Sequence, residues 1–364
     1  MTQPMIFGAY ATLKSIHTLS DAKKMVENCE LLNINHIILL TKNESELFYP
    51  SIIGDSYSKS SFDPYEAVTS EAKRAGIGVS AWFMLYKESI ANPSRIVREH
   101  PEVLLVNRRG KNNVEEPTWN TISPILWVCP SSLLYREYLI NLMEEVMDRY
   151  NLDGINLDFV RYPEELDARQ YCYCESCRKR FESIYGETIP SDSVVRMRYH
   201  TALMCENVTD SVQEIAKRIQ AKGGKISAYC FTDYTSAIES VKQDWPSWAE
   251  FVDELYLSTY ELSPQWAGTI MQRARKVVGE RSRLIPVVWS LQEISRASQG
   301  GSRWSRERGP VYMKSIIDRS FENGADGAVF YLYDSIFGVE SHDYKREHAL
   351  PKDSWKQLRS ALVG

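Results

Sequence analysis

Eight short runs rich in β-branched and aromatic residues recur along the chain, each separated from the next by a long intervening stretch. They are IFGAY (6–10), HIILL (36–40), GVSAWF (78–83), GINLDF (154–159), KISAYC (225–230), ELYLS (254–258), LIPVVW (284–289) and GAVFYL (327–332). Amphipathic stretches lie between them at 21–33, 64–75, 135–150, 197–221, 264–278 and 311–323. Strands that alternate with helices must pair in parallel, because each helix carries the chain back across the sheet. Eight such units without a break in composition predict a closed α/β architecture, a (β/α)8 TIM barrel, over residues 1–364 as a single domain. An open doubly wound sheet is the alternative, but no glycine-rich phosphate loop follows the first strand.

The spacing supports closure. Ala75-Gly76, Gly223-Gly224 and Gly324 stand where helices should stop before the next strand. The long excursions follow strands three, four and seven, at about 84–130, 161–192 and 292–310. A barrel builds its functional face from these strand-to-helix loops. With 43% hydrophobic and 25% charged residues over 364 positions, a core of ordinary size is available. The net charge of −5 disfavours nucleic acid as a partner, and the basic run RWSRER (303–308) reads as a solvated loop. MTQPMIFGAY passes into a strand without a charged leader, and no window approaches a membrane span. The expectation is a cytoplasmic protein without membrane association, with room for a homo-oligomer.

If the barrel closes, residues just past the strands meet in one cleft. These include Tyr10, 41–44, 82–86, Asp158, Arg161, Tyr162, Asp233, Tyr234, Tyr260, Glu261, Trp289, Gln292, Glu293, Tyr333 and Asp334. The set is rich in carboxylates and aromatics, and it holds no Ser-His-Asp candidate. Aromatic faces stack on sugar rings while polar groups bond the hydroxyls, and glycoside hydrolysis requires two carboxyl groups. For most of these acids a solvated or helix-capping role is the simpler reading. Asp158 differs. Alternation in GINLDFV puts Asn156 and Asp158 on one face, and a buried acid there needs a polar cleft or a partner.

Three longer segments, AKRAGIGVSAWF, EHPEVLLVNRRGK and CPSSLLYREYLINLMEEVMDRYNLDGINLDFVRYP, resemble those of family 10 glycosyl hydrolase-like barrels. That family's fourth strand ends in a D-G-[IV]-x-x-D-[YF]-x-R-[YF]-P pattern, matched here by Asp153–Pro163. QDWPSWAEFVDELYLSTYE (243–261) and GADGAVFYLYD (324–334) match more loosely. The resemblance implies a retaining glycoside hydrolase acting on an oligosaccharide, with Asp158 as nucleophile and Asp153 in the turn before the strand. Two residues compete to be the second carboxylate: Asp233, at the place of the acid/base in many retaining barrels, and Glu261, which follows Tyr260. Asp244 and Trp245 match the family pattern from a loop. Trp82, Asn156, Arg161, Tyr162, Asp244, Tyr260, Trp289, Tyr333 and Asp334 are the expected substrate contacts.

Four of the seven cysteines make a separate pattern. Cys172, Cys174 and Cys177 form C-x-C-x-x-C, and Cys129, upstream of the third helix, is the candidate fourth ligand for tetrahedral zinc. CPSS (129–132) and CYCESC (172–177) also resemble the structural zinc loop of family 42 β-galactosidases. The Asn-Glu pair that ends that family's fourth strand is replaced by Phe159 and Val160, so its activity does not carry over. A structural zinc in a loop at about 161–191, and no catalytic cofactor, is therefore expected. Cys29, Cys205 and Cys230 read as core residues. The six histidines are scattered, which weakens a metal-dependent hydrolase reading. A barrel that binds carbohydrate without cleaving it is the other alternative.

Overall fold

A computed structural model describes residues 5–55, 61–116, 125–163, 171–189, 194–260, 262–290, 309–342, 350 and 353–363. Eight strands, β1 (Ile6–Ala11), β2 (His36–Asn43), β3 (Gly78–Met84), β4 (Gly154–Asp158), β5 (Lys225–Cys230), β6 (Glu254–Ser258), β7 (Arg283–Trp289) and β8 (Gly327–Tyr331), follow the expected order. Each pairs in parallel with its neighbours, and β8 returns to β1 with Ile6 opposite Gly327, closing the barrel. Around it lie α1 (Leu19–Leu31), α2 (Pro64–Arg74), α3 (Leu133–Arg149), α4 (Val194–Ala221), α5 (Trp245–Trp248), α6 (Pro264–Val278), α7 (Pro310–Phe321) and α8 (Ser354–Val363).

Local chemistry sets the element ends. Thr18 and Asp21 form a reciprocal capping box at α1, and Asp63 and Ser263 cap α2 and α6 ahead of a proline in the first turn. Each cap satisfies amides that the helix leaves without an internal partner. Gly154 opens β4 where a β-carbon would stand 2.1 Å from the Lys225 carbonyl oxygen, so no larger residue lets β4 and β5 close to pairing distance. Asp153, just before it, accepts the Val79 amide at 2.7 Å and fixes the entry of β4 beside β3. This is the turn role expected of it.

The unit after β5 departs from the pattern. Its helix is reduced to short turns (Tyr234–Ser236 and Ala237–Val241) and the four-residue α5. The loop after β3 adds an antiparallel pair, Lys87–Ser89 with Ile125–Trp127. Its base is a fully buried ion pair, Lys42 to Glu88 at 3.5 Å, and Glu88 also accepts from Ser45, the Ser94 amide and Tyr135. Complete pairing is what makes such buried charges tolerable.

Candidate active-site cleft and a four-cysteine centre

Asp158 is the last residue of β4, at the C-terminal end of the barrel. Trp82 of β3 lies opposite Asn156 in the strand register. Its indole therefore reaches one step further along, and Nε1 donates to Asp158 Oδ2 at 2.9 Å. The chain then turns sharply. Phe159 takes a left-handed conformation (φ +50°), and its amide donates to Asp158 Oδ1 at 2.7 Å. Such a conformation in a bulky residue is costly and recurs at functional sites. Burial pushes the Asp158 carboxyl above the usual carboxylate range, opposed by these two donors and by the charges of Arg161 and Lys87.

Apart from Arg161 and Lys87, the surroundings of Asp158 are neutral donors and rings. Tyr10 donates to Asn156 Oδ1 at 3.0 Å, and Asn156 Nδ2 donates to Ser227 at 2.8 Å, which fixes the amide's orientation. Burial raises the Tyr10, Tyr229 and Tyr260 phenols, and the nearby Asp158 charge adds to the shift, so all three keep their protons near neutrality. An aromatic wall runs around this side. Trp82 meets Tyr10 at 4.8 Å, Tyr331 meets Tyr10 at 5.7 Å, and Trp289 stacks on Tyr331 at 5.5 Å with 16° between planes. Tyr260 packs on Trp289 at 4.4 Å and on Tyr229 at 6.0 Å. Across from it, the Arg161 guanidinium sits over Trp127, Phe159 and Phe231 at 5.3, 4.9 and 5.2 Å, and Lys87 lies 4.9 Å from the Phe159 centroid.

Of the expected contacts, Trp82, Asn156, Arg161, Tyr260 and Trp289 thus gather around Asp158. Others are engaged elsewhere. Asp233 caps the turn at Tyr234, accepting the Thr235 amide at 3.0 Å, and pairs with Arg273 at 2.7 Å. Asp244 stands at the N-terminus of α5, where burial pushes its carboxyl up. Asp334 is buried against Thr12, whose hydroxyl and amide donate at 2.6 and 3.0 Å, and burial lifts its carboxyl to about 7. The Tyr333 hydroxyl accepts from Asn28 of α1 at 2.9 Å, and Tyr162 turns towards the cysteines. Glu261, Gln292, Glu293 and the basic run 303–308 lie outside the described residues.

Tyr331 and Tyr229 were missed among the strand ends, as was Lys87. Alternation could have found Tyr331, which shares the inward parity of Gly327 and Val329. No local signal marks Lys87, whose position depends on the pairing of its strand with residues 125–127.

Cys129, Cys172, Cys174 and Cys177 are all buried, with sulfurs mutually within 4.8 Å. Cys129 Sγ lies 3.6 Å from Cys177 Sγ and 3.7 Å from Cys174 Sγ. Four thiolates at Zn–S bond length on a tetrahedron stand about 3.8 Å apart, whereas a disulfide needs about 2.05 Å. Ser131 Oγ and Asn207 Nδ2 lie 3.3 and 3.6 Å from Cys177 Sγ, as is usual around metal-bound sulfur. The donor set fits a metal ion.

At the opposite end of the barrel is a cavity of about 590 Å³ lined by His36, Asp153, Lys225, Glu254 and Arg283 among others. Here the charges are mixed: Glu254 faces Arg283 at 3.6 Å and accepts from Tyr256 at 3.0 Å.

A closed parallel barrel with a buried acid and an aromatic wall at its C-terminal mouth is the architecture of TIM-barrel glycoside hydrolases. The PgaB (BpsB) glycoside hydrolase domain of Bordetella bronchiseptica superposes with a TM-score of 0.70 at 11% identity, covering 99% of both chains. A β-galactosidase of the haloarchaeon Halorubrum lacusprofundi gives 0.70 at 12% identity, over 99% of this chain and 58% of that one. The chain belongs to the glycosyl hydrolase-like 10 family, whose model matches residues 11–293. Among curated relatives, the glycosyl hydrolase DigH of Escherichia coli O6:H1 is 24% identical over 204 residues, 54% of this chain and 45% of that protein. The chain therefore spans less than half of that relative's length. Among the described residues, no helix is long and apolar enough to cross a membrane.

Proposed function

We infer that the protein is a glycoside hydrolase that cleaves an oligosaccharide at the C-terminal mouth of its barrel, with Asp158 as nucleophile in a retaining reaction. The observation that carries this is the setting of Asp158. It is a buried carboxyl oriented by one indole and one amide, with three protonated phenols near it and an aromatic wall beside it. Protonated phenols and the Asn156–Tyr10 pair are suited to sugar hydroxyls, and Trp289, Tyr331 and Tyr260 to the faces of sugar rings. In the reaction, the Asp158 carboxylate attacks the anomeric carbon while a second carboxyl protonates the leaving oxygen; that residue then takes a proton from the water that releases the sugar.

Two candidates remain for the second role. The carboxylate of Asp233 is already engaged by Arg273 and the Thr235 amide. Tyr260 forms part of the aromatic wall, and Glu261 follows it directly in the chain, which favours Glu261. The four cysteines would hold a structural zinc. Four thiolates fill a tetrahedral ion and leave no position for a catalytic water. Seven unpaired cysteines also suit the cytoplasmic setting expected from the sequence. The domain is read as one barrel carrying that cysteine loop.

The test is a panel of aryl glycosides assayed against the wild type, Asp158→Asn, Glu261→Gln and Asp233→Asn. Asp158→Asn should lose on the order of 10³-fold or more in kcat with its fold intact. Glu261→Gln should lose activity far more than Asp233→Asn. Near-wild-type turnover by Asp158→Asn would sink the assignment, and sugar binding without turnover in any form would favour a carbohydrate-binding barrel. Metal analysis of the purified protein should return one zinc per chain.

A further inference from the structure

Tyr162 belongs to the segment that follows Asp158, yet its ring is buried away from the cleft and its hydroxyl lies 3.7 Å from Cys129 Sγ. The hydroxyl oxygen accepts from Asn207 Nδ2 at 3.2 Å, and the same amide reaches Cys177 at 3.6 Å. With its oxygen so engaged, the Tyr162 hydroxyl has its own hydrogen to give to sulfur. The main chain of this segment is gripped as well. The Tyr162 amide donates to the Val241 carbonyl at 3.1 Å. Gln243, fully buried, donates to the Val160 and Tyr229 carbonyls at 3.4 and 3.2 Å and accepts the Phe231 amide at 2.9 Å.

These anchors bear on the near end of the same segment. There, Phe159 holds its left-handed conformation and donates its amide to Asp158. A conformation of this kind costs roughly 1–3 kcal/mol and persists only when the structure around it over-determines it. The anchors at Val160 and Tyr162 provide that constraint, and the outermost rests on the thiol centre.

We propose that Tyr162 is a positioning residue that ties the four-thiol centre to the turn after Asp158, so that the metal-loaded centre holds the Phe159 amide against the Asp158 carboxylate. The linkage is mechanical and stands whatever the reaction; only its effect on turnover rests on the reading of Asp158 as nucleophile. The charged and titratable groups that face Asp158 are Lys87 after β3, Arg161 in its own loop, Tyr10 of β1, Tyr229 and Cys230 of β5, and Tyr260 after β6. A Tyr162→Phe substitution leaves all six in place.

Hydrogen–deuterium exchange of the peptide spanning 158–163, measured on the purified zinc-loaded protein, reads the linkage without any substrate. In Tyr162→Phe and in Asn207→Ala the Phe159 amide should exchange about tenfold faster or more, with zinc content unchanged. Cys174→Ser should show the same acceleration together with loss of zinc. With an aryl glycoside that the wild type cleaves, Tyr162→Phe should move the acidic limb of kcat/KM to higher pH, because the amide that favours the ionised carboxylate is lost. kcat should fall while KM stays nearly constant. Wild-type exchange at Phe159 in a zinc-loaded Tyr162→Phe protein overturns the proposal. Turnover retained by Asp158→Asn would remove the catalytic reading alone, and the exchange measurement would still decide the linkage.

Discussion

The two ends of the barrel each bury an acid, and they do so in opposite ways. At the N-terminal end, Glu254 is 5% exposed and is met by the Arg283 cation and the Tyr256 hydroxyl. At the C-terminal end, Asp158 is 8% exposed and accepts from an indole and one amide, among neutral phenols and with the Arg161 and Lys87 charges as lesser influences. Burial raises both carboxyls, but the strongest opposing influence at Glu254 is a guanidinium, and at Asp158 it is the Trp82 hydrogen bond. A carboxylate opposed by a full charge is a stable ion pair with little left to offer a substrate. One oriented by neutral donors keeps its charge available for a developing positive centre, which is what an oxocarbenium-like transition state presents. The difference between compensation and orientation separates a structural acid from a reactive one.

Replacing each acid by its amide should therefore split stability from turnover. The largest effect is the loss of kcat in Asp158→Asn, accompanied by a melting temperature close to that of the wild type, because removal of a buried charge offsets the loss of one of the two acceptors used by Trp82 and Phe159. A clear drop in melting temperature would mean that Asp158 is structural after all. A third acid tests the burial side of the comparison alone. Asp334 is fully buried, held by the Thr12 hydroxyl and amide, and is pushed up to about 7 from an ordinary value of 3.8. An acid whose folded value is raised binds more protons in the folded than in the unfolded state between those two values. Stability should therefore fall as pH rises from about 4 to about 7, by up to roughly 4 kcal/mol from this group, and level off above. Denaturant melts across that range should show the slope, and Asp334→Asn should flatten it.

The fold was legible because alternation of strand and helix is a backbone consequence of sequence pattern, and all eight expected strands lie within three residues of their observed ends, with β2, which runs on to Asn43, the furthest off. The reduced unit after β5 was less so, since Tyr234–Trp248 carries helix formers and turn formers together. At the site, Asn156 and Asp158 were readable from parity within one strand, and Trp82 from its place near the end of another. Tyr333 and Tyr331 illustrate the limit. β8 stops at Tyr331 and the chain coils into a short helix, so the ring at the strand end enters the cleft while the next aromatic, Tyr333, goes to α1. A strand read one residue too long moved the expected contact from the first to the second. Tyr162 shows the same thing in another form: its neighbours in sequence are the cleft, but its hydroxyl belongs to cysteines that only the folded chain brings near.

The smallest effect is expected at the other end of the barrel. In Glu254→Gln the carboxylate facing Arg283 is lost while a side chain of the same shape remains to accept from Tyr256. Arg283 is 18% exposed at the side chain and also donates to the Asp326 carbonyl at 2.9 Å, so its charge is not left bare. The cost should be about 1–2 kcal/mol rather than the larger penalty of a fully buried broken pair. Turnover on the aryl glycoside should stay within about twofold of the wild type, because nothing at Glu254 touches Asp158 or the aromatic wall. A Glu254→Gln protein of wild-type stability but impaired kcat would reverse the comparison, since the N-terminal acid would then be acting through the barrel interior, along the Ser227–Asn156–Tyr10 hydrogen bonds that lead to the cleft.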